Sequence, residues 1–160
     1  MNFTEVTRSV PQKLGNLTAL VAFVFATMLA SGCSTFHRDW KQALAQPVQW
    51  RGLEGPWDGT WRSDVNGHHG RLRCLITRGG QGRHEARFHA NYKKILSFGY
   101  PVKLEVRETN GVFSFEGAAD LGWWAGGEYR YRGHATGTNF FSTYHSKHDH
   151  GTFQMTRPGE

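Results

Sequence analysis

The chain has 160 residues, a formal net charge of +6 and an aromatic content of 14%. This length accommodates one domain with a single core, and the aromatic content excludes an intrinsically disordered chain. Two cysteines are too few for a disulfide framework or for a paired-cysteine zinc site.

The N-terminal segment has the organisation of a secretory signal. A polar start with two basic residues precedes an apolar run over residues 17–29, and small residues at 30–32 lead to Cys33. These features are typical of a cleaved signal rather than a transmembrane helix. The stretch resembles the lipobox of bacterial lipoproteins, with its leucine one position further back than usual. The resemblance implies cleavage before Cys33 and a diacylglycerol on its thiol, so we expect a signal peptide over residues 1–32.

A lipid on Cys33 implies a protein of the cell envelope that is anchored to a membrane. In bacterial lipoproteins an aspartate after the cysteine is the usual signal for retention in the inner membrane, and here Ser34 stands at that position. The resemblance therefore implies the outer membrane, with the domain facing the periplasm. The basic charge suits anionic envelope partners, and nucleic acid is not an expected partner in this compartment.

Residues 33–56 are predicted to form the tether, with a short helix. Asp39 is a candidate N-cap for a helix over residues 40–45. Trp40 and Leu44 are four residues apart, which predicts that they share the face toward the domain.

The first strand is expected to start at the end of the domain that has tight turns. We therefore expect the tether to emerge there, with the opposite end facing away from the membrane.

Residues 57–160 are predicted to form one all-β domain, because apolar and polar residues alternate and turn signals interrupt the alternation. The predicted strands are 58–65, 70–78, 84–92, 102–108, 112–119, 128–135, 139–146 and 151–157. One face of these strands is apolar and the other is charged, so the sheet must close or stack. Short sequential connections favour an eight-stranded antiparallel up-and-down barrel, with a two-sheet sandwich as the alternative. Cys74 lies on the apolar face, which predicts a buried and inert thiol.

The start of this domain resembles the calycin group of barrels. Trp57-Asp58-Gly59-Thr60-Trp61 is similar to the Gly-x-Trp start of the lipocalins and to the Gly-Thr-Trp start of avidin-like proteins. Lipocalins also have a basic residue on the last strands that packs over this tryptophan, and Arg157 is similarly placed. The resemblance implies a calycin-like barrel in which Trp61 and Arg157 stack where the first and last strands meet. It carries over no ligand.

Successive connections of an up-and-down barrel alternate between its two ends. The connections after strands two, four and six are short, whereas those after strands one, three, five and seven carry aromatic, imidazole and carboxylate groups. The predicted mouth residues are His68, His69, Phe98, Tyr100, Asp120, Trp123, Trp124, His148, Asp149 and His150. Such groups on loops over a rigid scaffold are typical of binding sites. We expect a ligand or partner to meet this mouth, with Trp123 or Trp124 as the apolar contact.

The residues leave three functions open. A cavity in the barrel would favour a non-catalytic binding module for a small apolar or cyclic ligand, carbohydrates included. A filled barrel with an aromatic rim would favour a structural lipoprotein that contacts another envelope protein. The least favoured function is a metal site at His145, His148 and His150, whose spacing matches no structural zinc motif. Nucleophile, phosphate-loop and dinucleotide motifs are missing from the sequence, so neither catalysis nor a cofactor is expected.

Overall fold

The computed structural model describes residues 35–46, 50, 52–80, 83–92, 96–123 and 126–159. One helix, α1, spans residues 35–45. The strands are β1 Gly55–Ser63, β2 His69–Arg78, β3 Arg83–Tyr92, β4 Leu96–Thr109, β5 Val112–Asp120, β6 Glu128–Ala135, β7 Asn139–His145 and β8 His150–Thr156. No helix in the described part of the chain is long and apolar enough to cross a membrane. The predicted signal peptide and Cys33 lie outside the described residues.

The strands form a closed barrel in sequence order. Each strand pairs antiparallel with its neighbours in the chain, and β1 pairs with β8 from Asp58 opposite Thr156 to Ser63 opposite Gly151. The predicted up-and-down barrel is therefore confirmed, and the sandwich is excluded. Because the strands alternate in direction, the loops alternate between the two ends. We call the end with the loops after β1, β3, β5 and β7 the mouth, and the opposite end the closed end.

β4 begins six residues before the predicted start of this strand, at Leu96 instead of residue 102. Proline cannot donate a backbone hydrogen bond, so Pro101 indicated a loop. In the structure β4 pairs with β3 from Leu96 to Glu105. It pairs with β5 only from Lys103 onward. Pro101 thus lies where one side of β4 has no partner strand, which is where a sheet tolerates proline.

The alternation of each strand separates the core from the outer wall. The inward side chains include Leu72, Ile76, Phe88 and Leu104, all of them buried. Cys74 is also fully buried, as its position on the apolar face predicts. Burial raises the pKa of its thiol, so the reactive thiolate is strongly disfavoured.

The closed end is filled by Trp57 and covered by Arg157. The guanidinium carbon of Arg157 lies 3.6 Å from the centre of the Trp57 ring. The guanidinium also donates hydrogen bonds to three backbone carbonyls, those of Gly52, Pro56 and Gly137. The Trp57 indole in turn donates to the Leu53 carbonyl at 2.9 Å. One side chain just after the last strand therefore ties together the segment before β1 and the turn between β6 and β7.

The predicted stacking of Arg157 on Trp61 is wrong, and the register of β1 on β8 gives the reason. Asp58 lies opposite Thr156, so the next pair toward the closed end is Trp57 with Arg157. Trp61 is four residues further along β1 and lies opposite Phe153. The tryptophan that matches the Gly-x-Trp pattern with a basic partner is therefore that of Gly55-Pro56-Trp57.

Helix α1 packs on the outer wall over β2 and β3. Its apolar face consists of Phe36, Trp40 and Ala43, which bury Leu75 on the outside of the barrel. This face differs from the predicted one, because Leu44 remains 49% exposed.

Charged and aromatic contacts join α1 to the wall. Asp39 lies within the helix and is not its N-cap, since the helix starts four residues earlier. Its carboxylate accepts a hydrogen bond from Arg87 at 2.9 Å. The Arg73 guanidinium lies 5.2 Å from the centre of the Trp40 ring.

The direction of α1 changes the expected position of the tether. The Phe36 ring stacks on His89 at 5.0 Å, and His89 is near the mouth end of β3. Asp39 contacts Arg87, two residues closer to the closed end. The helix therefore runs from the mouth side toward the closed end. The chain enters β1 at the closed end, as expected, but α1 lies along the wall and begins nearer to the mouth, which the sequence did not predict.

We predict that Trp57→Ala lowers the free energy of unfolding by about 3–5 kcal/mol, because it removes a fully buried aromatic side chain and leaves a cavity. Trp123→Ala is the matched control, since Trp123 is 92% exposed. It should change stability by less than about 0.5 kcal/mol. Urea melts of both variants make the comparison. Equal losses in the two variants would contradict the role of Trp57 as the filling of the closed end.

A second prediction concerns pH. Burial, and then the positive charges of His37 and Arg73, lower the pKa of His89. The unfolded chain therefore takes up this proton more readily than the folded protein does. The stability linked to neutral His89 is present above about pH 6.5 and is lost as the pH falls below it. Urea melts between about pH 7 and pH 5 should show this decrease.

The variant His89→Phe keeps a ring against Phe36 and removes the titrating group, so it should flatten this part of the pH dependence. His148→Gln, at an exposed histidine of the mouth, should leave it intact. If His89→Phe retains the full pH dependence, another group causes it.

Candidate functional site

A cavity of about 450 Å³ opens at the mouth of the barrel. We call it the mouth cavity. Its lining is dominated by seven aromatic residues. They are Trp61, Phe98, Tyr100, Tyr129, Tyr131, Tyr144 and Phe153. Ala90, Gly99, Pro101, Leu121 and two aspartates, Asp120 and Asp149, complete the described lining.

These rings come together because they occupy inward-facing positions on neighbouring strands. Tyr144 lies 5.1 Å from Phe153 and 6.0 Å from Tyr129, measured between ring centres. Phe88 packs below them, 5.9 Å from Tyr131 and 5.3 Å from Phe153. Since Phe88 and the filled closed end lie beneath these rings, the cavity has a floor.

Trp61 forms part of the cavity wall. Its indole nitrogen donates a hydrogen bond to the Asn91 carbonyl on β3 at 3.1 Å. The indole ring passes directly over Gly70 on β2 to reach this carbonyl. A Cβ atom at Gly70 would lie 1.9 Å from that carbonyl oxygen and 2.8 Å from the indole nitrogen. Glycine is therefore required for Trp61 to keep this position.

Asp149 brings a carboxylate to the inner side of the mouth. One oxygen accepts a hydrogen bond from the Ser63 hydroxyl at 2.6 Å, and the other accepts one from the Tyr144 hydroxyl at 3.2 Å. Both donors are neutral. Burial, and then the Asp149 charge, raise the pKa of Tyr144, so this phenol remains protonated.

Tyr131 is the one described residue that lines the cavity with a buried hydroxyl lacking a partner. The residue is 3% exposed, and its hydroxyl makes no hydrogen bond of normal geometry to the described part of the chain. The nearby Tyr100 hydroxyl still acts on it as a weak hydrogen-bonding neighbour and partly offsets the effect of burial on its pKa. Burial raises the pKa of Tyr131, which keeps its proton available for donation. A buried hydroxyl without a partner costs free energy, and a ligand that pairs with it would recover this cost.

The structure brings four of the predicted mouth residues to the cavity lining, namely Phe98, Tyr100, Asp120 and Asp149. The histidines at 68, 69, 148 and 150 lie at the same end, on the loops after β1 and β7 or at the strand ends beside them, outside the described lining. His68 lies 3.2 Å from the Tyr92 hydroxyl. Trp123 is exposed on the loop after β5, and Trp124 lies outside the described residues.

The histidines after β7 do not converge. His145 and His150 face each other across β7 and β8 with ring centres 5.8 Å apart. Within the described residues, no three histidine, cysteine or acidic side chains are grouped to hold a metal ion. The weak metal candidate at His145, His148 and His150 is therefore not supported by the geometry.

Sequence reasoning missed several residues of the cavity wall, among them Trp61, Tyr129 and Tyr144. It placed Trp61 where the first and last strands meet and Tyr129 on the apolar face of its strand, and it left Tyr144 unassigned. Each occupies an inward position near the mouth end of its strand. Counting positions from the mouth loops along each strand would have identified them.

A larger depression, of about 630 Å³, lies on the outer wall over β4, β5 and β6. Gly117 leaves space there, and exposed charged side chains such as Lys103 and Glu116 surround it. It is a shallow solvated surface, whereas the mouth cavity is apolar and walled on its sides.

Comparisons of the chain with family models, curated proteins and solved structures found no match. An eight-stranded antiparallel barrel is consistent with a calycin-like fold.

Proposed function

We propose that this protein is an envelope lipoprotein whose barrel is a non-catalytic binding module for a small ligand with an apolar or cyclic body. The mouth cavity is the observation that supports this proposal. Its volume of about 450 Å³ falls within the range of small-molecule sites. Aromatic walls with a few polar groups are typical of such sites, because the walls supply burial and the polar groups orient the ligand.

The proposed lipid anchor at Cys33 is two residues from the start of α1 in the sequence. α1 begins at residue 35, and two residues span at most about 7 Å. Since α1 starts on the mouth side of the wall, the lipid would hold the barrel by its flank. The proposed location is the outer membrane, with the barrel in the periplasm, as the lipobox resemblance implies.

Ligand binding is tested by narrowing the cavity. Leu121 lines the entrance, and Leu121→Trp adds bulk there without changing the packed core. We expect it to weaken binding of the neutral dye N-phenyl-1-naphthylamine by at least about tenfold, measured by dye fluorescence. Val112→Trp, at an exposed position of the closed end, is the matched control and should leave binding unchanged. If the native protein does not bind the dye, or if both variants bind it equally, the proposal is wrong.

Trp123 supports a second candidate function. It is 92% exposed on the rim, where a large aromatic side chain can anchor a contact with another envelope protein. Under this alternative, Trp123→Ala would lower crosslinking to envelope components while dye binding stayed constant. Under the ligand-binding proposal, Leu121→Trp lowers dye binding, whereas Trp123→Ala leaves both dye binding and crosslinking unchanged.

Anchoring is tested with Cys33→Ser. The variant lacks the thiol that the proposed lipid modifies, so we expect loss of labelling by a radiolabelled fatty acid and release from the membrane fraction. Cys74→Ser is the control, because Cys74 is buried in the barrel. An unlabelled native protein, or a Cys33→Ser variant that keeps its label, would contradict lipidation.

A further inference from the structure

The charge of the mouth cavity is opposite to that of the chain. The sequence has 19 Lys and Arg residues against 13 Asp and Glu residues. The described lining nevertheless includes Asp120 and Asp149 and neither lysine nor arginine. A ligand that enters meets a negative site in a protein with a basic outer wall.

Asp149 is the centre of this negative site. Ser63 and Tyr144 hold its carboxylate from the inner side of the mouth through two neutral hydroxyl groups. Asp149 forms no ion pair with any described residue. Burial, and after it the charge of Asp149, raise the pKa of Tyr144, so the phenol stays neutral beside the carboxylate. Asp120, on the rim, adds a second carboxylate at the entrance.

The aromatic walls favour the same sign of ligand charge. The faces of tryptophan and tyrosine rings attract cations, above all cations that are weakly hydrated. Trp61, Tyr129 and Tyr144 line the same cavity as Asp149, and the Tyr144 hydroxyl contacts the carboxylate. An anion would meet both the carboxylates and the ring faces, and would be repelled by both.

We propose that the mouth cavity binds a small organic cation, an alkylated ammonium with an oxygen atom that pairs with Tyr131. The inference rests on the proposed function and names its class of ligand. The ammonium lies among the aromatic rings beside Asp149. The ligand oxygen accepts the hydrogen bond of the Tyr131 hydroxyl, which is buried and makes no hydrogen bond of normal geometry in the described part of the chain.

The test compares two molecules of nearly the same shape. Choline carries a quaternary ammonium and a hydroxyl, and 3,3-dimethylbutan-1-ol has a neutral carbon in place of the nitrogen. Both compete with the neutral dye for the native protein, at low salt and again at high salt. We expect choline to bind at least about tenfold more tightly than the alcohol, with the difference reduced by salt.

Three variants locate the interaction. Asp149→Asn keeps the shape of the side chain and removes its charge. Its amide oxygen can accept from the Ser63 hydroxyl while its NH2 group donates to the Tyr144 oxygen, and it should reduce the preference for choline by at least about tenfold. Asp64→Asn removes a carboxylate from the exposed loop after β1 and is the matched control for overall charge. Tyr131→Phe removes one oxygen atom, and should weaken choline binding but not that of tetramethylammonium, which has no hydroxyl.

The outcomes separate this inference from the proposed function. Equal affinities for choline and the alcohol, with dye binding intact, would overturn the cationic ligand and leave the binding module standing. Failure of the dye and of both small molecules to bind would overturn both proposals. Phosphocholine distinguishes the source of the cation. If phosphocholine binds more weakly than choline, the natural ligand is a free organic cation. If phosphocholine binds more tightly than choline, the natural ligand is a lipid headgroup.

Discussion

The contact between Arg157 and Trp57 closes one end of the barrel, and the open cavity at the other end depends on this closure. The guanidinium covers the indole face at 3.6 Å and donates to carbonyls before β1 and after β6. A buried arginine is stable only when its donors are satisfied, and three backbone carbonyls satisfy them here. Because this end is sealed by side chains and hydrogen bonds, the opposite end can remain open without exposing the whole core to water.

The barrel is therefore asymmetric along its axis. An eight-stranded barrel is just wide enough either to be filled by side chains or to hold one small ligand. This chain does both, with Trp57 and Phe140 packed at one end and the mouth cavity at the other. The cavity contains two polar features that are unusual in a filled core, the Asp149 carboxylate and the buried Tyr131 hydroxyl. Under the proposed function, these two groups would orient the ligand.

The helix on the outer wall links the barrel to its proposed anchor. Phe36 and Trp40 cover Leu75, and the ion pair between Asp39 and Arg87 fixes the helix along the strands. His89 lies under this helix with a lowered pKa, so the contact weakens when the imidazole is protonated. Since α1 begins on the mouth side of the wall, the proposed lipid on Cys33 would be attached nearer to the mouth than strand order alone indicates.

The sequence by itself determined the number of strands, their order and which face of each is buried. Alternation and turn residues are local signals, and short connections allow only sequential pairing. It also assigned the aromatic and acidic loops to one end. The tertiary structure alone decided which tryptophan meets Arg157, because that depends on the register where β1 closes against β8. It alone revealed the cavity, because alternation shows that a residue such as Tyr129 points inward but not how far along the barrel axis it lies. Register and height arise from contacts between residues far apart in the chain, which no local pattern encodes.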